Sequence, residues 1–414
     1  MPGTESPSIG ELPPVGEVPA RMLAQVIRQD RFGDPRTAFR VEEVDVPALA
    51  PDQVLVAVMA AGINFNNVWA ARGLPIDVIR VRQKAGEPWD FHIGGSDASG
   101  TVYAVGEAVH DVAVGDEVVI HHGWWDADDP WVAAGKDPML APSARIWGYE
   151  TNFGSFGQFT VAQAHQCLPK APQLSWEEAA AATLVGTTAY RMLHGWPPNT
   201  LRDGEPVLVW GGSGGLGTQA IQLAVATGAR PVAVVSDDGR GEYCKQLGAV
   251  GYVNRREFSH WGMAPHWEDT DGQKQWTAGA RAFGASVWEA LGERRNPTIV
   301  FEHPGEATIP TSIFVCEAGG MVVVCAGTTG YSAVVDLRYH WVRQKRLQGS
   351  HGTNDVQARA YNDLVARGVV NPCLGKVYRF GEIPGAHDEM ERGVDVFGNR
   401  VALVGAREPG LGRT

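Results

Sequence analysis

The residues with the most chemical content fall in one short run. Gly212, Gly214 and Gly217 make a G-x-G-x-x-G pattern, with Ser213, Gly215 and Leu216 between them. The run follows an apolar stretch, Pro206–Trp210, and opens a helical pattern, Thr218–Thr227. Glycines at these places allow a tight turn and let backbone N–H groups approach a pyrophosphate at a helix N-terminus. The strand, turn and helix context turns a common pattern into a dinucleotide-site expectation. A second strand, Pro231–Val235, ends at Ser236, with Arg240 and Lys245 just beyond. A carboxylate at that strand end suits the ribose hydroxyls of NAD, whereas a hydroxyl and a cation suit a 2′-phosphate. Ser236 and Arg240 therefore predict NADPH, against Asp237 and Asp238, which would favour NAD.

The elements that must position this turn read as two kinds. From Met22 to about Glu150, segments such as QVLVAVMAAGI and GTVYAVG are short apolar strands ending at turns, which predicts a β-barrel. A helix is expected from Ser175 to His194, opened by a Ser175/Glu178 capping box. Strands and helices then alternate through TIVFEHPG and GGMVVVCAGTTG, the signature of a parallel sheet covered on both faces. VALVGA near the end reads as a strand returning to the first domain. The expected class is α/β, with a discontinuous barrel domain at 22–180 and 336–414 and a Rossmann doubly wound domain at 181–335. Residues 1–21 read as a flexible N-terminal arm, and the polar stretch Ser259–Trp276 as a surface insertion.

A length of 414 residues suits two domains. Lys plus Arg number 35 against 47 Asp plus Glu, a net charge of −12. That balance speaks against nucleic-acid and anionic-membrane partners, both of which need clustered positive charge. The five cysteines show no paired spacing, so a reducing cytoplasm is the expected location. No apolar run approaches the roughly 18 residues of a membrane span.

A barrel, a Rossmann unit and a returning tail resemble the medium-chain dehydrogenase/reductase superfamily, whose barrel is GroES-like. Where the zinc branch of that superfamily carries its ligands, this chain reads GINFNNVW and HIGGSDASG, without a cysteine, so no metal is expected. Longer segments narrow the match. FHIGGSDASGTV, SWEEAAAATLVGTTAYR, VWGGSGGLGTQAIQ, IVFEHPGEAT and above all IWGYETNFGSF and RYHWVRQKRLQGSH closely resemble crotonyl-CoA carboxylase/reductases. The resemblance runs from about Ala24 to Ala406.

It implies hydride delivery from NADPH to the β-carbon of a 2-enoyl-CoA, then attack of the α-carbon on CO2 to give a 2-alkylmalonyl-CoA. It also implies the residues that hold CO2: Asn66, Tyr149 through its backbone, Glu150 and His351. Asn64 and Asn67 compete with Asn66, since spacing alone does not choose. Thr187, Thr188 and Tyr190 are candidates for the nicotinamide side, as are Cys325 and Ala326 at the head of CAGTTGY. Arg343, Lys345 and Arg346 form a basic cluster suited to CoA phosphates, or to a solvated face or subunit contact. Gly352 leaves room for an acyl chain longer than crotonyl, or serves backbone geometry. Room there would favour supply of polyketide extender units. The family implies a homo-oligomer, a dimer or tetramer. The nearest alternative is a plain NADPH-dependent enoyl-thioester reductase, which needs no Asn/Glu/His set.

Overall fold

The computed structural model describes residues 6–394 and 396–413. The first five residues of the expected arm lie outside the described residues. Two compact units emerge: Met1–Thr187 with Gly352–Gly368 and Pro372–Thr414, and Thr188–His351 with Val369–Asn371.

The first unit begins with strands β1 (Arg21–Arg28), β2 (Phe39–Asp45), β3 (Gln53–Ile63), β4 (Phe91–Ile93), β5 (Ala98–Val105) and β6 (Glu117–Ile120). Then come β7 (Gly123–Trp124), β8 (Arg145–Ile146), β9 (Phe159–Gln163) and β10 (Cys167–Pro169). Its helices include α1 (Asn66–Arg72), α2 (Trp176–Ala179) and the start of α3 (Thr183–His194). Strand β3 is the pivot: it pairs antiparallel with both β5 and β9. Covered on both faces, it needs the near-continuous apolar run QVLVAVMAAGI, with nine of its eleven residues buried. Phe156, Phe159 and Trp147 fill the adjoining core.

The Ser175/Glu178 capping box is present: Ser175 Oγ accepts from the Glu178 N–H at 3.4 Å, and Glu178 Oε2 accepts from the Ser175 N–H at 2.8 Å. The helix it opens stops at Ala179, and α3 starts afresh at Thr183, so one expected helix is two. Residues 6–20 run along the first unit. Gln158 Nε2 donates to the Pro7 carbonyl at 2.9 Å, and Tyr103 donates to that of Pro13 at 2.8 Å.

The second unit holds β11 (Pro206–Trp210), α4 (Gly215–Ala226), β12 (Arg230–Val235), α5 (Asp238–Gln246), β13 (Gly251–Asn254), α6 (Thr270–Leu291), β14 (Ile299–Glu302), β15 (Met321–Val324) and β16 (Arg346–Gly349). Its sheet runs β13-β12-β11-β14-β15-β16, parallel throughout. Strand order reverses between β11 and β14, the place where doubly wound sheets bind their ligands. Because β16 is the sixth strand, this unit extends to His351, beyond the expected 335. The chain then returns through α7 (Asp355–Ala366), β17 (Leu374–Arg379) and β18 (Asn399–Leu403). Strand β18 pairs antiparallel with β3, which gives VALVGA its role.

The stretch Ser259–Trp276 lies largely at the surface, as expected, but it is anchored by its aromatic residues. Trp261 packs edge-on against Trp210 and Phe283, at centroid distances of 5.5 and 5.4 Å, and Trp276 is buried in the first turns of α6. Isolated aromatic residues in a polar stretch carry the packing here, and polarity averaged over the segment hides them.

Candidate active site

The glycine turn is built as its spacing requires. Gly211, one residue earlier than the expected pattern, takes the positive φ of +60°. A Cβ on Gly212 would meet Ala233 Cβ at 2.7 Å, and one on Gly217 would meet the Gly211 carbonyl at 2.3 Å. Gly214, the N-cap of α4, would meet nothing closer than 3.4 Å, so the turn is closed on its inner side and open at the helix end. Gly215 and Leu216, expected in the turn, form the first residues of α4 and are half-buried.

Beyond the turn, Arg240 donates to Ser213 Oγ at 2.8 Å and pairs with Asp237 at 3.3 Å. Ser236 Oγ donates to Asp237 at 3.1 Å. Asp237 caps α5 by accepting from the Arg240 N–H at 3.0 Å, and that backbone bond holds its carboxyl below the usual range. The acid that argued for NAD is thus spent on a helix cap and an arginine. Arg240 thus links Ser213, in the turn after β11, to the Ser236–Asp237 corner at the end of β12. Lys245 pairs instead with Glu242 at 3.1 Å.

The other cofactor candidates divide. Thr187 is fully buried and donates to the Thr183 carbonyl at 2.7 Å, so its hydroxyl proton is given to its own helix. Thr188 is half-buried, and Tyr190 tilts over His194 at 4.8 Å. Cys325 and Ala326 follow β15 and are half-buried. Burial pushes the Cys325 thiol up to about 12, which leaves it a packing group at neutral pH.

The polar set draws on the first unit for Asn66, Tyr149 and Glu150, and on the second for His351. Among the three asparagines, Asn67 is fully buried and accepts from the Gly95 N–H at 3.1 Å, and Asn64 is buried with its amide 3.5 Å from Asp97. Only Asn66 is half-buried; its amide donates to Ser96 Oγ at 2.8 Å, and its carbonyl oxygen accepts from Asn67 at 2.9 Å. Gly148 packs directly on the Gly95 carbonyl, where a Cβ would come within 1.8 Å, so the turn that carries Tyr149 and Glu150 lies against the residue before Ser96. Tyr149 is buried, and Glu150 Oε2 accepts from the Ile146 N–H at 2.8 Å. His351 is exposed.

Two substrate expectations fail. Lys345 is buried, and its ammonium donates to the Ile313 and Phe314 carbonyls at 2.6 and 3.2 Å. Arg346 donates to the carbonyls of Trp196 and Pro197 and to Gln348. Both cations are consumed by the protein, and only Arg343 of the trio is exposed. Gly352 has a φ of +68°, where a side chain is strained, and a Cβ would fall 2.3 Å from Met139 Cε, the tip of a flexible side chain. The positive φ favours glycine there on backbone grounds alone, whatever the length of the acyl chain.

Asp97, in HIGGSDASG, is a carboxyl that the sequence pattern does not single out. It is fully buried and accepts from the Leu184 N–H at 3.2 Å, and burial drives its carboxyl well above the usual range. Glu302 is a second buried carboxyl, at the end of β14, and accepts from Thr308, Gly305 and Ser312. Among the described residues, His121, His165 and Asp355 form a group whose ligand atoms lie close enough to hold a metal ion.

The alcohol dehydrogenase GroES-like domain family matches residues 50–173, and the zinc-binding dehydrogenase family matches residues 215–367. The crotonyl-CoA carboxylase/reductase of Cereibacter sphaeroides is 47% identical over 97% of this chain and 92% of its own length. The chain belongs to the crotonyl-CoA carboxylase/reductase family. A solved member, AntE in complex with NADP, is 52% identical and superposes with a TM-score of 0.94 over 97% of this chain and 99% of that one. The 2-octenoyl-CoA carboxylase reductase CinF, in complex with NADP and 2-octenoyl-CoA, is 37% identical, with a TM-score of 0.87 over 96% and 91%. The expected α/β class, GroES-like plus Rossmann, is confirmed. Among the described residues, no helix is long and apolar enough to cross a membrane.

Burial raises the Glu302 carboxyl from 4.5 to about 7. A carboxyl that binds its proton more tightly in the folded state stabilises the fold at low pH, and that contribution is lost as pH rises through the window from 4.5 to about 7. Glu302→Gln should therefore flatten the fall in thermal stability of this unit between pH 5 and 8, a difference on the order of 3 kcal/mol. Parallel pH profiles for the two proteins would refute this.

Proposed function

We propose that the chain is an NADPH-dependent reductive carboxylase that converts a 2-enoyl-CoA and CO2 into a 2-alkylmalonyl-CoA. The observation that carries this reading is the half-exposed Asn66 amide, fixed by Ser96 on one side and Asn67 on the other. A reductase that merely protonates its intermediate has no use for such a prepared neutral donor.

Ser213, Ser236 and Arg240 would hold the 2′-phosphate of NADPH, and the open N-terminus of α4 its pyrophosphate. NADPH supplies, when bound, the hydride that reaches the β-carbon of the thioester. The chain's own task lies at the α-carbon. The electron pair left there attacks the carbon of CO2, a carbon–carbon bond forms, and one C=O pair moves to oxygen as carboxylate. CO2 has no charge, so orientation depends on neutral donors and ordered water. Asn66 donates to one of its oxygens. The backbone at Tyr149 gives a second contact. Glu150 and His351 order a water that stabilises the growing carboxylate and keep loose protons from the α-carbon. Arg343 is the member of the basic trio left for the CoA phosphates.

The edge of the Rossmann-type sheet supports a homo-oligomer. Among the described residues strand β16 is unpaired on its outer side, and Leu347, Trp341 and Val342 are exposed on and beside it. A second copy covering this edge would remove both the free backbone groups and the apolar surface. The reading includes no nucleic-acid or membrane partner and places the protein in the cytoplasm.

With NADPH, a 2-enoyl-CoA and 13C-bicarbonate plus carbonic anhydrase, Glu150→Ala and His351→Ala should each raise the ratio of saturated to carboxylated product at least tenfold, while hydride transfer continues. Unchanged ratios in both variants would remove these residues from the CO2 site. Arg240→Ala should weaken NADPH binding by about 10–100-fold, the range of a charge-assisted hydrogen bond, and leave NADH binding unaltered. Equal losses for both cofactors, by titration calorimetry, would contradict the 2′-phosphate assignment.

A further inference from the structure

The two asparagines at the start of α1 belong to one directed chain of hydrogen bonds. An amide side chain can sit either way round, so its direction must come from a group that cannot turn over. The Gly95 N–H is that group. It donates to Asn67 Oδ1 at 3.1 Å. The amide oxygen of Asn67 therefore faces Gly95, and its nitrogen faces Asn66, where Nδ2 donates to Asn66 Oδ1 at 2.9 Å. That bond fixes the second amide in turn. The oxygen of Asn66 faces Asn67, and its nitrogen donates to Ser96 Oγ at 2.8 Å.

The Gly95 N–H is itself held in place. After β4 the carbonyls of Ile93, Gly94 and Gly95 accept from the N–H groups of Gly154, Phe156 and Ser155, each at 2.9 Å. The Gly94 carbonyl and the Gly95 N–H share one planar peptide, so that N–H cannot swing without breaking the Phe156 bond. Asn67 and Ser96 are fully buried, and Asn66 is half-buried. Gly94 makes the room. Its φ lies outside the left-handed region, so its backbone does not call for glycine, yet a Cβ there would fall 2.0 Å from Asn67 Oδ1.

We infer that Asn67 is a positioning residue that sets which end of the Asn66 amide meets the substrate, and that Gly94 is glycine to admit it. One proton of Asn66 Nδ2 goes to Ser96, and among the described residues nothing accepts the other. A carbonyl that accepts makes its own amide nitrogen a stronger donor, so polarisation runs from Gly95 through Asn67 to Asn66. CO2 presents weak acceptor oxygens, and a reversed Asn66 amide would offer it a lone pair in place of a proton. The use made of this at CO2 rests on the proposed carboxylase reading; the direction of the chain does not.

Two variants of nearly the same shape separate direction from packing. In Asn67→Asp an oxygen replaces the nitrogen that holds Asn66. An ionised carboxylate only accepts, so the Asn66 amide turns over. At about pH 8, with NADPH, a 2-enoyl-CoA and 13C-bicarbonate plus carbonic anhydrase, the ratio of carboxylated to saturated product should fall about tenfold, the scale of one hydrogen bond. In Asn67→Leu neither orientation is imposed, and the fall should be about twofold, the share lost when two orientations are equally populated. The CO2 concentration at half-maximal carboxylation should rise by the same factors, while NADPH oxidation continues. A wild-type ratio in Asn67→Asp, or equal losses in the two variants, would refute the role of Asn67. Neutron diffraction from deuterium-exchanged crystals of the wild-type protein reads the direction without any variant. It should place deuterium on the Asn66 atom that faces Ser96 and none on the atom that faces Asn67; the reverse overturns the inference. If the wild-type protein forms no carboxylated product from any 2-enoyl-CoA, the carboxylase reading and the role at CO2 both fall, and the neutron result still decides the direction.

Discussion

The buried carboxyl of Asp97 is the point on which the first unit converges. Its backbone carbonyl accepts from Gly62 at the end of β3, and its side chain accepts from the N-terminus of α3 and from Asn64. The residues before it do the rest: Ser96 receives the Asn66 amide, and Gly95 bonds Asn67 and supports the Gly148 turn. A carboxyl removed from water costs several kcal/mol unless it is neutralised or hydrogen-bonded. Helix N–H groups offset part of that cost here, and burial drives the group toward its protonated form. In exchange, one short segment, Gly94–Asp97, orients the asparagine turn and the helix that leads out of the unit.

Much of this was legible in the residues. The limits of β11, the glycine turn, the Ser175/Glu178 box and the returning β18 follow from local chemistry, since each depends on neighbours in sequence. The pairing of Arg240 with Ser213 is nearly as local, because both lie at strand ends of one βαβ unit. What was not legible depends on distant packing. A lysine beside two arginines reads as a cationic patch, yet Lys345 is turned inward onto carbonyls of Ile313 and Phe314. A glycine reads equally as empty space or as a positive φ, and the +68° at Gly352 becomes visible only in the folded backbone. The hydroxyl of Thr187 faces its own helix, which no spacing rule reveals.

The electrostatics suit a protein that carries −12 overall yet handles anionic ligands. Cations are placed singly and oriented, as Arg240 is by Ser213 and Asp237, and not spread as a patch. A neutral gas needs the opposite treatment, and the Asn66 network is made of amides and hydroxyls without a formal charge. In the proposed reading, a helix N-terminus and a guanidinium take the phosphates, and an amide with ordered water takes CO2.

The central claim is that the electron pair released at the α-carbon goes to CO2 and not to a proton. The number of bicarbonate-derived carbons fixed per NADPH oxidised, followed as CO2 is raised from near zero to saturation, tests it most directly. The account predicts a ratio that climbs to about one. NADPH consumed in the presence of a 2-enoyl-CoA with a ratio that stays at zero would make the protein a simple reductase and contradict the account.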